Sequence, residues 1–167
     1  PAHDGSSIGV TKLAEPTVAA LRKALEDAAG VRGDEVLVEE YIHGREFTVA
    51  VLDGRALPVI EIRAPEGDYD FNNKYFGDAV HYDCPAKLED EAAATLGSLC
   101  ERAFAAVGAR GWSRIDALQR ADGSFALLEI NTSPGMTPHS LVPMAARAVG
   151  MDYADLCLKV LSLARCD

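Results

Sequence analysis

Apolar residues recur at helical spacing in four stretches of the chain, as on the buried face of a helix. Alanine and leucine dominate the first stretch, Pro16 stands near its first turn, and Gly30 is expected to end it. Gly108 is expected to end the second stretch in the same way. The pattern therefore predicts helices over residues 15–29, 88–107, Ser140–Val149 and Asp152–Ala164.

Runs rich in β-branched and aromatic residues predict strands between the first two helices. Val36–Ile42 is the first of these runs. Glu46–Leu52 and Ala56–Arg63 follow, and Asp53-Gly54 between them is a strong hairpin signal.

A second hairpin is predicted from Gly111–Arg120 and Phe125–Asn131, with its turn at residues 121–124. Helices and antiparallel strands thus come in mixed order, which indicates an α+β fold. The polar segment 64–78 is expected to be a long loop that closes over a site.

The second hairpin places four polar side chains on one face. With Asp122-Gly123 as the two central turn residues, Asp116 lies opposite Glu129, and Arg114 lies opposite Asn131. The alternating positions are predicted to share the apolar face, namely Ile115, Ala117, Leu128 and Ile130.

Two carboxylates directly opposite each other on a sheet repel, by a few tenths to about 1 kcal/mol. Their placement at Asp116 and Glu129 indicates a cation between them. Carboxylate and amide oxygens suit Mg²⁺, and Arg114 offers a fixed fork for phosphate. The alternative is a solvated polar face on which Arg114 pairs with a carboxylate.

The composition narrows the class of ligand. With 26 acidic and 16 basic residues, the net charge is −10, so a nucleic-acid partner is not expected. A triphosphate held by a few cations and Mg²⁺ remains compatible with this charge. The chain lacks a long apolar run and a signal peptide, and its four cysteines form no CxxC pair, which predicts a cytoplasmic protein without membrane contact.

Some candidate binding residues have a weaker signal, and each of them has two interpretations. The segment GSSIG, with Ser6 and Ser7, is either a phosphate cradle or a linker. Lys74 and Tyr75 are either ordinary loop residues or part of a mobile lid that closes over phosphates.

Two further pairs of residues also have both a functional and an ordinary interpretation. Glu39 and Glu46 are either surface charges or acceptors for an amino group and hydroxyls. Ser140 and Leu141 begin a helix, so they are either a simple N-terminal cap or a site for a carboxylate or phosphate.

Over essentially all 167 residues the chain resembles the C-terminal part of the D-alanine–D-alanine ligase family, within the ATP-grasp superfamily. The last of the matching segments is the most specific. These segments are GSSIGV (5–10), LVEEYIHGREFTVAVL (37–52), LPVIEI (57–62), NKYF (73–76), RGWSRIDAL (110–118) and LLEINTSPGMTPHSLVPMAARAVG (127–150).

The resemblance implies an ATP-grasp fold of antiparallel sheets flanked by helices, as a fragment of a larger ligase. Residues 1–40 would be the remnant of a central subdomain and 41–167 the C-terminal subdomain, with the N-terminal substrate domain absent. Asp116, Glu129 and Asn131 would bind two Mg²⁺ ions, which Mn²⁺ can replace, with Glu129 bridging them.

The resemblance also assigns the nucleotide contacts. Glu39 would bind the adenine amino group beside the Ile42 backbone, and Glu46 would bind the ribose hydroxyls. Lys74 and the Ser7 region would contact the phosphates of ATP.

The remaining roles concern the bond-forming step. Arg114 and the Gly135 N–H would stabilise the acyl phosphate and the oxyanion. Ser140 and Leu141 would hold the carboxylate of the second D-alanine.

In the family a hydrogen-bond network connects the glycine-rich loop with the lid loop. Ser6 and Tyr75 would belong to this network here. The acidic partner of that network belongs to the N-terminal domain, so the isolated chain is expected to be inactive. The full-length protein is expected to be a homodimer that makes D-alanyl-D-alanine for peptidoglycan. The alternatives are a D-alanine–D-lactate ligase and a non-catalytic nucleotide-binding module.

Overall fold

The computed structural model of the chain describes residues 9–13, 16–32, 35–63 and 80–165. These residues fall into two compact units. The first unit runs up to Ile42 and includes Val80, and the second comprises His43–Arg63 and the residues from His81 on. In chain order the elements are α1 (Val18–Arg32), β1 (Arg45–Leu52), β2 (Arg55–Ala56), β3 (Ile60–Arg63), β4 (His81–Asp83), α2 (Asp90–Ala106), β5 (Trp112–Gln119), β6 (Phe125–Asn131), α3 (Leu141–Ala148) and α4 (Tyr153–Leu163).

The first unit contains α1. Thr17 precedes this helix, and its hydroxyl accepts a hydrogen bond from the Ala20 N–H at 3.1 Å, as an N-terminal cap does. The helix continues through Gly30 to Arg32, so the predicted stop at Gly30 is wrong. A glycine lowers helix propensity by about 1 kcal/mol but does not by itself end a helix.

The predicted strand over residues 36–42 is also wrong for the described part of the chain. These residues pair with no described strand. A run of β-branched residues becomes a strand only when a neighbouring backbone accepts its hydrogen bonds, and this one finds no such neighbour there.

In the second unit the six described strands form one antiparallel sheet in the order β4-β3-β1-β5-β6, with β2 also paired to β1. The central strand β1 is buried from Phe47 to Leu52. Gly44 lies so close to the Gln119 carbonyl that an added Cβ would be 1.8 Å from its oxygen. Only glycine lets β1 begin beside the end of β5.

The two faces of the sheet carry separate hydrophobic cores. One face packs against α2, and its fully buried members include Phe47, Val49, Val51, Leu96, Cys100, Ile115 and Ala117. The other face packs against α3 and α4, with Ala50, Leu52, Ile60, Val142, Ala145, Ala146 and Leu156.

The β5–β6 hairpin turns through three residues rather than the predicted two. The Arg120 N–H donates to the Ser124 carbonyl at 2.8 Å, and Gly123 adopts a φ of 86°. A glycine in this left-handed region is typical of a three-residue hairpin loop. Close to the turn, Gln119 therefore pairs with Phe125.

A bulge then changes the register by one residue. Ala117 pairs with Leu127 and Asp116 pairs with Glu129, so Leu128 has no cross-strand partner. Leu128 is 47% exposed, and its predicted place on the apolar face is wrong. Leu127 packs against the α2-side core instead.

The predicted helices α2, α3 and α4 are confirmed to within a few residues at each end. Gly108, with a φ of 66°, follows the end of α2 as expected. The predicted strand Ala56–Arg63 is wrong as a single element, because it is divided into β2 and β3 around Pro58, which has no N–H to donate. The pattern did not predict β4, whose three residues are too few to show an alternation. No helix in the described ranges is long and apolar enough to cross a membrane.

The cysteines of the described residues, Cys84, Cys100 and Cys157, are free thiols. Burial raises the pKa of Cys100 to about 12. At neutral pH this thiol is protonated and unreactive, which agrees with its place in the core on the α2 side.

Candidate active site

A single row of cross-strand partners runs across the sheet on the face that packs against α3 and α4. Ile60 of β3 pairs with Thr48 of β1, Thr48 pairs with Asp116 of β5, and Asp116 pairs with Glu129 of β6. The row changes from apolar at Ile60 to charged and solvent-exposed at Glu129. The predicted opposition of Asp116 and Glu129 is therefore confirmed.

Arg114 lies next to this row, opposite Asn131 as predicted. Its Nε donates to Asp116 Oδ1 at 2.9 Å and its Nη2 to Asp116 Oδ2 at 2.7 Å. The same Nη2 lies 3.6 Å from Glu129 Oε1. One guanidinium thus contacts both carboxylates, with its planar fork fixed on the more buried of the two.

The two carboxylates differ in their access to solvent. The Asp116 side chain is 7% exposed, whereas the Glu129 side chain is 55% exposed. Thr48, which is fully buried, donates its hydroxyl to Asp116 Oδ1 at 2.6 Å. Asp116 is therefore held firmly by the protein, and Glu129 is available to a ligand.

The charges of this group suit a cation. Arg114, Asp116 and Glu129 together carry a net charge of −1, and like charges opposite each other on a sheet are destabilising. Asn131 adds an amide oxygen, which accepts a hydrogen bond from the Ser133 N–H at 3.0 Å and keeps a second lone pair. This set of hard oxygens fits Mg²⁺ or Mn²⁺.

The described residues contain no group of three or more His, Cys, Asp and Glu side chains able to hold a metal. Two carboxylates and an amide leave several coordination positions of an octahedral ion unfilled. Mg²⁺ commonly fills such positions with water and substrate phosphate oxygens. The donor set is therefore compatible with a metal that is also bound by phosphate oxygens.

The loop after β6 brings Gly135 next to Ser140. A Cβ on Gly135 would lie 3.0 Å from Ser140 Oγ, tighter than an ordinary contact. Ser140 Oγ accepts a hydrogen bond from the Thr137 N–H at 3.0 Å, and Ser140 N–H donates to the Thr137 carbonyl at 2.9 Å. Leu141 is the first residue of α3, where an N–H has no partner within the helix.

Two side chains from the following helices hold this loop. Arg147 of α3 donates to the Pro138 carbonyl at 2.7 Å, and Tyr153 of α4 donates to the Met136 carbonyl. Desolvation raises the pKa of Tyr153 above its usual range, so its hydroxyl remains a donor at neutral pH.

The structure gives less information on the other predicted site residues. Glu46 is half-buried in β1, and its cross-strand partners are Ile62 and Leu118. Glu39 is exposed and Ile42 is half-buried, both in the first unit. The predicted loop 64–78 and the remaining predicted site residues lie outside the described residues, namely Ser6, Ser7, Lys74 and Tyr75.

Sequence reasoning missed Thr48, Arg147 and Tyr153 as parts of the site. Thr48 had a usable signal, because alternation in EFTVAVL places a hydroxyl at a buried position of the central strand. A buried hydroxyl has to find a hydrogen-bond partner. Arg147 and Tyr153 had no such signal, since their acceptors are backbone carbonyls of a loop.

The comparisons with known proteins identify the family of the chain. The family profile described as D-ala D-ala ligase C-terminus matches residues 1–162. The D-alanine–D-alanine ligase of Bordetella petrii is 52% identical over 170 residues, which cover 99% of this chain and 51% of that protein. The corresponding protein of Bordetella pertussis is 53% identical, with 99% of this chain and 53% of that protein covered.

Solved structures give the same result. The D-alanine–D-alanine ligase of Bacillus anthracis complexed with ATP matches with a TM-score of 0.74 at 30% identity, covering 88% of this chain and 48% of that one. The VanG D-Ala:D-Ser ligase from Enterococcus faecalis matches with a TM-score of 0.79 at 32% identity, covering 95% and 46%.

The chain spans about half the length of the curated relatives it matches. Its antiparallel sheet with flanking helices confirms the predicted α+β fold of an ATP-grasp ligase fragment. On the match of residues 1–162, this chain belongs to the D-alanine–D-alanine ligase C-terminal family.

Proposed function

We propose that the full-length protein carrying this chain is an ATP-dependent ligase that joins two D-alanine molecules for peptidoglycan synthesis. The observation that carries this proposal is the group of Arg114, Asp116 and Glu129, in which one guanidinium contacts two opposed carboxylates. The names of the relatives support the substrate. The D-alanine–D-lactate alternative is not favoured, because these relatives are named as D-alanine–D-alanine ligases.

In the proposed reaction the carboxylate of the first D-alanine takes the terminal phosphate of ATP, and the amine of the second D-alanine then displaces phosphate. Mg²⁺ bound by Asp116, Glu129 and Asn131 would neutralise the phosphate charge. Arg114, already fixed by Asp116, holds a positive charge next to that position without reorganising during the reaction.

The loop after β6 would hold the second substrate. We assign the Gly135 N–H to the developing oxyanion, and the Ser140 and Leu141 region to the carboxylate of the second D-alanine. The start of α3 supports this assignment, since backbone N–H groups and the helix dipole favour an anion there. Because the Ser140 N–H already donates to Thr137, the Leu141 N–H is the better donor of the two.

The nucleotide contacts remain part of the proposal. Glu39 and Ile42 are assigned to the adenine, Glu46 to the ribose, and Lys74 and Ser7 to the phosphates. An acyl phosphate hydrolyses in water, so the reaction also needs a closed site. We further propose a cytoplasmic homodimer as the working form, with the 167-residue chain inactive when isolated.

The test uses the full-length protein, with the N-terminal half that its relatives possess. It is given ATP and Mg²⁺ with D-alanine, L-alanine, D-alanine plus D-lactate, or D-alanine plus D-serine. ADP release is followed, and the product is identified by mass. ADP and the D-alanine dipeptide are expected with D-alanine alone.

Two other outcomes would change the conclusion. ADP released only when D-lactate or D-serine is present would retain the ATP chemistry and overturn the second substrate. The absence of ADP under all four conditions would overturn the ligase proposal and favour a nucleotide-binding module.

A further inference from the structure

Thr48 is a polar residue in the most deeply buried strand of the described sheet. Its exposure is 0%, and its neighbours along β1 are Phe47 and Val49, which face the opposite core. The residues that share its own face in β1 beyond it are Ala50 and Leu52. A valine has nearly the same shape as threonine and would suit the packing, so the hydroxyl needs a separate explanation.

The Thr48 hydroxyl lies 3.4 Å from the Ile115 carbonyl oxygen and only 2.6 Å from Asp116 Oδ1, so its main acceptor is Asp116. Asp116 Oδ1 accepts two hydrogen bonds, from the Thr48 hydroxyl at 2.6 Å and from Arg114 Nε at 2.9 Å. Its Oδ2 accepts one, from Arg114 Nη2 at 2.7 Å. A carboxylate offers about four lone-pair positions, two on each oxygen.

These contacts make the two oxygens unequal. Both lone pairs of Oδ1 are engaged by protein donors, while Oδ2 keeps one lone pair. Arg114 alone would satisfy both oxygens equally and would leave the carboxylate free to offer either one. The Thr48 hydroxyl is what removes this equivalence.

We infer that Thr48 is a positioning residue, which saturates Asp116 Oδ1 and so leaves Oδ2 as the single oxygen that binds the metal. This inference rests on the proposed function, since it concerns the metal that Asp116 and Glu129 would share. Thr48 itself does not touch substrate or metal. Its effect is to hold one ligand ready in one orientation, which reduces the ordering needed when the metal binds.

The sheet provides a matched control in Ser113 of β5. Ser113 is also fully buried, but its hydroxyl has no hydrogen-bond partner in the part of the chain that the structure describes. Replacing Ser113 by alanine removes a buried hydroxyl from the sheet without changing a contact to Asp116. A structural effect common to buried hydroxyls would appear in both variants, and a positioning effect only at Thr48.

The experiment measures Mn²⁺ binding to the full-length protein in the presence of a non-hydrolysable ATP analogue. Free Mn²⁺ is quantified by its electron paramagnetic resonance signal, and folding is checked by circular dichroism. Thr48→Val is expected to weaken Mn²⁺ binding about tenfold, as loss of an outer-shell partner does. Thr48→Ser and Ser113→Ala are expected to stay within about twofold of the wild type, since neither removes the hydroxyl on Asp116.

The outcomes separate this inference from the proposed function. If the wild type binds no Mn²⁺ with the nucleotide, the metal proposal itself fails. If the wild type binds Mn²⁺ and a folded Thr48→Val variant binds it equally well, the role of Thr48 is overturned. Should Thr48→Val not fold, Thr48→Ala takes its place with the same expected loss, and weakened binding in a folded Thr48→Ser variant would also overturn the inference.

Discussion

Two arginine–carboxylate pairs lie on opposite faces of the same sheet and have nearly the same geometry. Arg45 donates to both oxygens of Glu61 at 2.8 Å, and Arg114 donates to both oxygens of Asp116 at 2.9 and 2.7 Å. Both acidic side chains are buried, with Glu61 8% and Asp116 7% exposed. The pairs differ in what surrounds them.

Positive charge dominates around the first pair. Arg45 holds the pKa of Glu61 below its usual range by hydrogen bonding, and the charges of Arg63 and Lys87 add to this effect. Arg45 also donates to the Lys87 carbonyl at 2.9 Å and lies 5.0 Å from the centre of the Phe47 ring. Asp83 lies opposite Glu61 as Glu129 lies opposite Asp116, but Asp83 pairs with Arg63 and lies 3.7 Å from Lys87. Three cations therefore face two carboxylates, and the group has no need of a further cation.

Negative charge dominates around the second pair. Glu129 adds a second carboxylate opposite Asp116, and its side chain is 55% exposed. The same bidentate contact therefore stabilises the fold on one face and leaves an unbalanced anionic site on the other. The charge of the neighbours, rather than the pair itself, distinguishes the candidate site from a structural ion pair.

The largest expected effect comes from Glu129→Gln, which removes the excess negative charge next to Arg114 and Asp116. ADP formation by the full-length protein should fall about 100- to 1,000-fold, as when one electrostatic contact to a transition state is removed. The unfolding midpoint should not fall, because an exposed charge that repels Asp116 has been removed.

The matched control for this change is Glu89→Gln, at the exposed start of α2, where the side chain makes no capping hydrogen bond. It should retain full activity. An active Glu129→Gln variant would place Glu129 outside the catalytic group.

The second largest effect is expected on stability, from substitutions at the bulge that brings Glu129 opposite Asp116. Leu127 packs against the core and Leu128 is 47% exposed, although they are adjacent and identical. Leu127→Ala should lower the free energy of unfolding by about 2 kcal/mol, and Leu128→Ala by no more than about 0.5 kcal/mol. Urea denaturation measures both, and equal losses would contradict the bulged register.

A smaller effect is expected from Glu61→Gln on the structural pair. It should lower the free energy of unfolding by about 1 kcal/mol, because Arg45 is 42% exposed and solvent weakens the pair. The turnover number should not change. The control is Lys23→Gln, which breaks an exposed pair on α1 and should leave the unfolding midpoint unaltered. A loss of turnover in folded Glu61→Gln would remove the functional distinction between the two faces.

The smallest effect is a pH dependence of this same pair. Because the folded-state pKa of Glu61 is depressed, its contribution to stability is complete above the unfolded pKa of about 4.3. The contribution is lost as pH falls below that value through the folded pKa. The free energies of unfolding of wild type and Glu61→Gln should therefore differ at pH 7 and converge in acid, as urea titrations at each pH would show.

Much of the fold followed from local patterns. The helices over 88–107, 140–149 and 152–164 are confirmed, because helical periodicity is a local property. Both hairpins are present, but the predicted strand Ala56–Arg63 is divided into β2 and β3, and the second hairpin loop has three residues where two were predicted. The strand over 36–42 and the helix stop at Gly30 failed, since a strand needs a partner and a helix end needs more than one glycine.

The opposition of Asp116 and Glu129 was predicted correctly, but the prediction assumed a two-residue loop and a regular ladder, and the structure has neither. The hairpin loop contains three residues instead of two, which shifts the pairs near the turn by one. The bulge at Leu128 shifts the register back before Asp116 is reached. Neither change is visible in the alternation of the strand, and only together do they preserve the predicted pair.

The sequence by itself determined that Arg114 and Asp116 share one face of their strand, because side chains alternate along every strand. For the same reason Glu129 and Asn131 share one face of the next strand, whereas the hairpin loop and the bulge decided that the two pairs meet. The tertiary structure decided that Thr48, 68 positions away from Asp116, donates to it, and that Arg45 meets Glu61 on the other face. Those contacts depend on which strand lies beside which. Strand order is set by how the two hydrophobic cores pack against the sheet, and no local pattern in the chain records it.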